Sequence, residues 1–146
     1  MERDGLGSAF LRVELLRRQL LRLHFIELGL TVGQGQPRIL KTLRIKGAMS
    51  QRELSDLCVL DVTTMSRTLD KLEKMGLIKR SDNPECRRSW VISLTPAGEE
   101  KADKVVELFK MADDIFSEGM SDEDIKKLYD MLDVIERNIE KHSGKS

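Results

Sequence analysis

The stretch that most constrains this chain is residues 49–78, whose pattern predicts two short helices joined by a tight turn. Ser50 followed three residues later by Glu53 has the form of a capping box, in which each side chain satisfies a free backbone N–H at a helix start. The apolar positions of this first helix fall at helical spacing: Leu54, Leu57 and Cys58. Asp61 is a good N-cap for a second helix, so the stretch predicts a helix-turn-helix.

The second helix of the pair is predicted to be amphipathic and to run from Asp61 to about Met75. One stripe is apolar and is expected to be buried: Val62, Met65, Leu69 and Leu72. The opposite face carries polar and charged side chains: Thr63, Thr64, Ser66, Arg67, Asp70 and Lys71. Gly76 can take the left-handed conformation that ends a helix, and Leu77 and Ile78 turn the pattern toward a strand.

A chain of 146 residues is long enough to bury a core without metals or disulfides. Its uncharged runs are too short to span a membrane and no signal peptide is recognisable, so a cytoplasmic protein is expected. Cys58 and Cys86 have only His24 and His142 as companions, which predicts neither a metal site nor a disulfide framework. No glycine-rich phosphate loop and no nucleophile with a plausible base is present, so neither a cofactor nor an enzymatic activity is expected.

Charge is distributed unevenly although the net charge is zero. Residues 36–95 contain twelve Lys and Arg against seven Asp and Glu, whereas residues 96–146 contain eight against fourteen. A basic centre is the electrostatic footprint of a phosphate-binding surface, and the acidic C-terminal third would be held away from DNA. Uneven surface charge is also common in helical proteins, so this asymmetry decides little by itself.

Long helices are predicted on both sides of the basic centre. The first, from about Ser8 to Leu28, has apolar residues on two sides, and Pro37 opens a further helix through about Arg44. Thr95 and Pro96 begin another helix, and Ser121 caps a last one whose apolar residues repeat at three and four: Ile125, Leu128, Leu132, Ile135 and Ile139. This apolar surface exceeds what a compact central module can cover, so a second copy of the chain is the expected partner.

Two strands are predicted after the second short helix, at residues 77–80 and 89–94. The loop between them ends in Arg87 and Arg88. A hairpin in this position could be merely solvated, but behind a helix-turn-helix it is expected to be a wing that touches the DNA backbone or minor groove. Trp90 is expected to pack rather than to stack on a nucleotide, because no other aromatic residue accompanies it.

The pattern as a whole resembles the MarR family of bacterial winged-helix transcription regulators over nearly the whole chain. Residues 72–80 match the family's leucine-glutamate-glycine-leucine join, and residues 86–98 match its wing signature, Asp-x-Arg-x-x-x-Val-x-Leu-Thr-x-x-Gly, except that Cys86 replaces the aspartate and the similar Ile92 stands at the valine. The resemblance implies a homodimeric repressor whose affinity for DNA is lowered by a small ligand. Family members bind aromatic acids in a crevice between the DNA module and the dimer helices.

The sequence departs from the signature at Cys86, which stands where the family has the aspartate that props the wing arginine. Arg88 aligns with that arginine, which reaches the minor groove in the family. Glu85 or Asp82 could replace the prop, or the wing could be looser. Cys58 is expected to be a small core residue, and a redox-sensing role for Cys86 is the minority interpretation, because an exposed thiol still needs a lowered pKa and a partner.

The expected fold is therefore mainly α with a small sheet: a winged helix-turn-helix module at residues 36–95 between an N-terminal dimerisation helix at 1–35 and C-terminal dimerisation helices at 96–146. The expected partners are double-stranded DNA with a palindromic operator, a second copy of the chain, and a small aromatic or anionic effector. The predicted DNA-binding residues are Thr63, Thr64, Ser66 and Arg67 for base edges, Gln51, Lys71 and Lys74 for phosphates, and Arg87 and Arg88 on the wing. The open alternatives are solvated positions on a packing helix, and a winged-helix module that binds only protein.

Overall fold

The computed structural model describes residues 4–144, and this part of the chain contains six helices and three strands. In order they are α1 (Leu6–Glu27), α2 (Gln36–Lys46), β1 (Met49–Ser50), α3 (Gln51–Cys58), α4 (Val62–Lys74), β2 (Ile78–Asp82), β3 (Trp90–Leu94), α5 (Pro96–Phe116) and α6 (Asp122–His142). The mainly α fold with a small antiparallel sheet confirms the predicted fold class. The chain forms two compact units, Met1–Ala112 and Asp113–Ser146. The functional division at residues 35 and 95 stays a prediction.

The sheet has the strand order β1-β3-β2 and both pairings are antiparallel. Asp82 pairs with Trp90, so the hairpin loop consists of residues 83–89. The first strand, β1, was not predicted, because two residues carry too little alternation to be recognised. β2 begins one residue and ends two residues later than predicted, and β3 begins one residue later and ends as predicted, which is the usual uncertainty of element ends.

The core of the first unit lies where α2, α3, α4 and the sheet meet. α1 contributes only its C-terminal half to this core, through Leu21 and Phe25. The Phe25 ring meets the Phe109 ring of α5 edge-on, with 5.4 Å between centroids. Lys101 Nζ donates a 2.6 Å hydrogen bond to the Leu28 carbonyl oxygen just beyond α1. The inner half of α1 is therefore held to the same core as the two short helices.

The helix starts follow the predicted caps with one difference. Ser50 Oγ accepts a 3.1 Å hydrogen bond from the Glu53 backbone N–H at the start of α3. The Glu53 carboxylate, however, accepts the Ser50 hydroxyl rather than the Ser50 backbone N–H, so only half of the predicted capping box forms. Ser50 also belongs to β1, which pairs with β3. Thr95 Oγ1 caps α5 as predicted, by accepting from the Gly98 backbone N–H at 3.0 Å.

Three apolar residues that were expected to pack are exposed instead. Val62 is 77% exposed, since it begins α4 one turn before the buried Met65, and Thr68 occupies the buried stripe in its place. Leu57 is 48% exposed because Leu54 and Cys58, four residues apart, already form the inner side of α3. Trp90 is 46% exposed at the end of β3 nearest the hairpin loop, beyond the end of the core.

The second unit contains the end of α5, a turn at Gly119 with φ of 80°, and α6. Ser121 and Asp124 form a complete capping box at the start of α6. No side chain of α6 is buried within the described residues. None of the helices between residues 4 and 144 is long and apolar enough to cross a membrane.

Candidate nucleic-acid interface

The start of α4 is fixed by Asp61. One carboxylate oxygen accepts the Thr64 backbone N–H at 2.8 Å and the other accepts the Thr64 hydroxyl at 2.8 Å. The hydrogen bonds from the Thr64 backbone and hydroxyl lower the pKa of the Asp61 carboxyl. Asp61 is therefore ionised at neutral pH, and an anionic cap also interacts favourably with the positive end of the helix dipole.

The turn between α3 and α4 contains the one non-glycine residue with positive φ among those described. Val59 has φ of 52° and ψ of 49°, a left-handed conformation that is costly for a β-branched side chain. Arg38 holds this turn by donating a 2.8 Å hydrogen bond to the Cys58 carbonyl oxygen. The turn is therefore locally strained at Val59, and its conformation sets the angle between the two short helices.

The outer face of α4 presents four of the predicted DNA-binding side chains to solvent: Thr63, Arg67, Lys71 and Lys74. The Lys71 ammonium donates a 2.7 Å hydrogen bond to Gln34 Oε1, which orients it without burying it. Thr64 is only half-exposed, and its hydroxyl already donates to Asp61. The structure thus leaves Thr64 without a free donor for a base edge.

A cleft of about 1080 Å³ separates α3 and α4 from the hairpin. It brings together three of the predicted residues: Gln51, Ser66 and Arg88. Arg87 does not line the cleft, although it is exposed on the same hairpin. Gln51 is half-buried, and its Oε1 has no hydrogen-bond partner among the described residues. Its predicted phosphate contact would therefore form inside the cleft rather than on an open surface.

Arg80 is a residue of this cleft that was not predicted. Its guanidinium donates a 2.7 Å hydrogen bond to Asp70 and a 3.2 Å hydrogen bond to the Ser66 carbonyl oxygen, and it lies 3.5 Å from the Glu73 carboxylate. Its side chain is only 13% exposed. Arg80 therefore ties β2, at the base of the hairpin, to α4. One sequence signal could have indicated this role of Arg80: two acidic residues one turn apart on α4 are followed by an arginine in the next strand.

The hairpin loop is held by short-range hydrogen bonds that its backbone N–H groups donate. Asn83 Oδ1 accepts from the Glu85 backbone N–H at 3.0 Å, and the Asn83 carbonyl oxygen accepts from the Cys86 N–H at 3.2 Å. Arg88 is exposed and forms no ion pair within residues 4–144, so neither Glu85 nor Asp82 replaces the missing prop there. The loop conformation thus depends on its own turns.

The two thiols have opposite environments. Cys58 is 2% exposed, and burial raises the pKa of its thiol, with Sγ lying 3.7 Å from the Thr42 hydroxyl oxygen. The prediction that Cys58 is a core residue is confirmed. Cys86 is exposed on the hairpin, at the cleft.

We expect iodoacetamide at neutral pH to label Cys86 and to leave Cys58 unmodified until the chain unfolds, because the thiolate is the reactive form and Cys58 is buried and protonated. Mass spectrometry of the intact protein should show a single adduct. In the Cys86→Ser control that adduct should disappear. Equal labelling of both thiols in the folded protein would contradict the burial of Cys58.

A crevice of about 60 Å³ lies between α1, α2 and α5 within the first unit. Phe25, Phe109 and Pro37 form part of its apolar lining, and Arg17 and Arg38 bring positive charge to it. Arg17 donates hydrogen bonds of 2.8 and 3.0 Å to Glu14, and this pairing lowers the pKa of the Glu14 carboxyl. The crevice thus places two arginines and the Glu14 carboxylate beside aromatic rings, and it is small in this conformation.

Fold and cleft together define a winged helix-turn-helix protein. The model of the MarR family matches residues 33–90. The chain is also 30% identical over 97 residues to the HTH-type transcriptional regulator BilQ of Clostridium symbiosum, an alignment that covers 66% of this chain and 67% of that protein. The alignments with the first curated relatives span about two thirds of their length. This chain belongs to the MarR family of transcriptional regulators.

Solved structures of proteins with bound molecules share the fold. A mutant MarR from E. coli, complexed with operator DNA, superposes with a TM-score of 0.76 at 21% identity and covers 89% of this chain and 92% of that one. NadR in complex with 4-hydroxyphenylacetate gives a TM-score of 0.78 at 19% identity, over 92% and 94% of the two chains. At these identities the likeness concerns the fold.

Proposed function

We propose that this MarR-family protein is a cytoplasmic repressor that binds a palindromic operator as a homodimer and releases it when a small effector binds. The observation that carries the DNA-binding part is the outer face of α4. It is a capped helix whose exposed side chains include Thr63, Arg67, Lys71 and Lys74, and a hairpin with two exposed arginines lies across the cleft. Side chains at the start of such a helix reach base edges, whereas lysines further along meet phosphates.

The E. coli MarR mutant in complex with operator DNA supports a duplex as the partner. The alternative is a winged-helix module that binds only protein. Salt dependence separates the two, because lysines and arginines that neutralise phosphates release condensed counterions from DNA. We expect the logarithm of the association constant for duplex DNA to fall linearly with the logarithm of salt concentration. Binding that does not change with salt would exclude phosphate recognition.

Removal of Arg67 and removal of Arg88 should have different effects on DNA affinity and base preference. Arg67→Ala is expected to weaken the preferred duplex by about 1–3 kcal/mol and to blur base preference, because it removes a base-edge contact. Arg88→Ala should weaken all duplexes by similar factors, since a wing arginine in the minor groove discriminates little. Titrations of both variants against a panel of single-base operator variants measure the difference.

Lys46→Ala provides the matched control, because Lys46 is an exposed cation at the end of α2 that does not line the cleft. It should leave both affinity and base preference close to wild type. An equal loss on every duplex for Arg67→Ala would contradict its assignment to base readout.

The proposal of a homodimer rests on two exposed apolar stripes. Val13, Leu16, Leu20 and Leu23 of α1 are 38–71% exposed and follow the three-four spacing of a helix interface. On α6 the corresponding stripe is Ile125, Leu128, Leu132, Ile135 and Ile139, and none of these residues is buried. Apolar stripes of this length on two helices are typical of surfaces that a second chain covers.

The proposal of a small aromatic or anionic effector rests on the crevice beside Phe109. Arg17 lies over the Phe109 ring at 5.5 Å from its centroid, and Arg38 also lines the crevice. A carboxylate that displaced Glu14 from Arg17 would therefore meet two cations next to an aromatic face. NadR in complex with 4-hydroxyphenylacetate supports this class of ligand. The present volume of about 60 Å³ is below that of ordinary ligand pockets, so binding requires the crevice to open. Opening would move α1 against α2, which offers a route to DNA release.

A further inference from the structure

Val62 is an apolar residue at the start of α4, where the neighbouring polar residues are expected to contact DNA bases. It is the first residue of α4, it is 77% exposed, and it lines the cleft together with Ser66 and Arg88. Ser66 lies one helical turn further on, so the two side chains share one face of α4. A single exposed valine needs no explanation on an ordinary surface. Its position at the N-terminal end of this helix is what gives Val62 a candidate role.

Several polar groups next to Val62 are already hydrogen-bonded within the protein. The Asp61 carboxylate accepts two hydrogen bonds from Thr64, and in doing so uses the donor of the Thr64 hydroxyl. The Ser66 carbonyl oxygen accepts from Arg80. The isopropyl group of Val62 is therefore an apolar surface beside an Asp61 carboxylate that is already engaged by Thr64.

We infer that Val62 contacts the C5 methyl group of a thymine in the major groove and thereby selects thymine at one position of each half-site. This inference rests on the proposed function. Thymine is the only base with an apolar group at its major-groove edge, so it is the natural partner of an aliphatic side chain there. The same side chain discriminates against adenine and cytosine, because it would cover their amino groups without accepting a hydrogen bond.

The expected size of the effect follows from burial of one methyl group. Each methyl group removed from water contributes about a fourfold gain in affinity. A dimer that makes the contact in both half-sites should gain about fifteenfold in total, since the two contributions multiply. An effect of this size alters specificity without being required for binding.

The experiment begins with selection of bound sequences from a random duplex library by the full chain. In the selected duplex, the dT positions are then tested one at a time. At each position dT is replaced by deoxyuridine in both half-sites, which removes only the C5 methyl group. At one dT position we expect wild type to lose about fifteenfold in affinity when both half-sites are changed. Val62→Ala should bind the dT duplex about as weakly as wild type binds the deoxyuridine duplex. It should then be indifferent to the second replacement at that position.

Ile45→Ala is the matched control, because Ile45 is a β-branched residue of α2 that is 59% exposed and does not line the cleft. It should keep the full sensitivity to deoxyuridine. Since Val62 is exposed, thermal melting of Val62→Ala should stay near that of wild type, and this measurement separates a lost contact from a lost fold.

Three outcomes would overturn the inference. If the losses from Val62→Ala and from deoxyuridine simply multiply, the two groups do not touch. If a specific duplex is selected but no methyl group matters, Val62 has another role and the proposed function stands. If no specific duplex is selected at all, the proposed function fails and the inference fails with it.

Discussion

Replacement of Gly98 by alanine is expected to lower the free energy of unfolding by more than about 3 kcal/mol. Gly98 lies in the first turn of α5, where an added Cβ would overlap the backbone oxygen of Leu77 and would lie 2.8 Å from its carbonyl carbon. A neighbouring side chain could rotate away from such a methyl group. A backbone carbonyl cannot, so the whole start of α5 would have to move.

That movement is costly because the start of α5 is hydrogen-bonded in several ways to the residues that join α4 to β2. The Thr95 N–H donates to the Leu77 carbonyl oxygen at 3.1 Å, and the Thr95 hydroxyl donates to the Gly76 carbonyl oxygen at 2.6 Å. The same hydroxyl oxygen caps α5 by accepting the Gly98 N–H. Displacing α5 by the width of a methyl group would break these bonds together and would open the core around Val105.

Thermal unfolding measures this expectation. For a chain of this length, a loss above about 3 kcal/mol corresponds to a melting temperature lower by at least about 6 °C. Gly7→Ala is the matched control, since Gly7 is also in a helix but nothing lies within 4 Å of its added Cβ. It should be neutral or slightly stabilising, because alanine favours the helix. A Gly98→Ala variant that melts with wild type would show that α5 can shift at little cost.

Local sequence signals were sufficient to predict the helix-turn-helix. Asp61 as N-cap, Gly76 as helix end and Pro96 as first helical residue are decided by neighbours within a turn or two, and the structure confirms each of them. The match of Gly98 to the family signature could be recognised in the sequence. Its physical reason could not, because the carbonyl it approaches lies twenty-one residues away in the sequence.

The residues whose positions the sequence did not predict have one feature in common: their environment depends on contacts between distant parts of the chain. Whether Val62 or Thr68 fills the inner side of α4 depends on what lies opposite, and the Thr68 hydroxyl lies 2.8 Å from the carbonyl oxygens of Gln34 and Thr64. Arg80 could not be assigned from its strand alone, because its partners belong to α4. Apolar spacing predicts that a side is buried, and tertiary contacts decide which residues form that side.

For α1 the sequence predicted apolar residues on two sides without distinguishing their roles. The structure separates them: Leu21 and Phe25 enter the core, whereas Leu16 and Leu23 are 50% and 71% exposed. Each exposed leucine lies about half a turn away from the buried pair. Since the core is closed without this outer stripe, its burial requires something outside the chain, and the spacing suits a second helix of the same kind.

Leu16→Glu is therefore expected to convert the protein to a folded monomer and to lower its affinity for a duplex with two half-sites by about 10²- to 10⁴-fold. A charge in the middle of an apolar helix interface loses its hydration without gaining a partner, which opposes association. The loss in DNA affinity is large because a dimer binds its second half-site as an intramolecular step, and a monomer forfeits that effective concentration. Sedimentation and DNA titration of the same sample measure both effects.

Arg22→Gln is the matched control, since it changes the charge by the same one unit at an exposed position of the same helix, about a third of a turn around the helix from Leu16 and outside the apolar stripe. It should remain dimeric and bind DNA close to wild type. The Leu16→Glu monomer should still melt cooperatively, because the core at Leu21 and Phe25 is untouched. If that monomer held the two-half-site duplex with full affinity, α1 would not serve dimerisation for DNA binding. Its exposed stripe would then have to be assigned to a different partner.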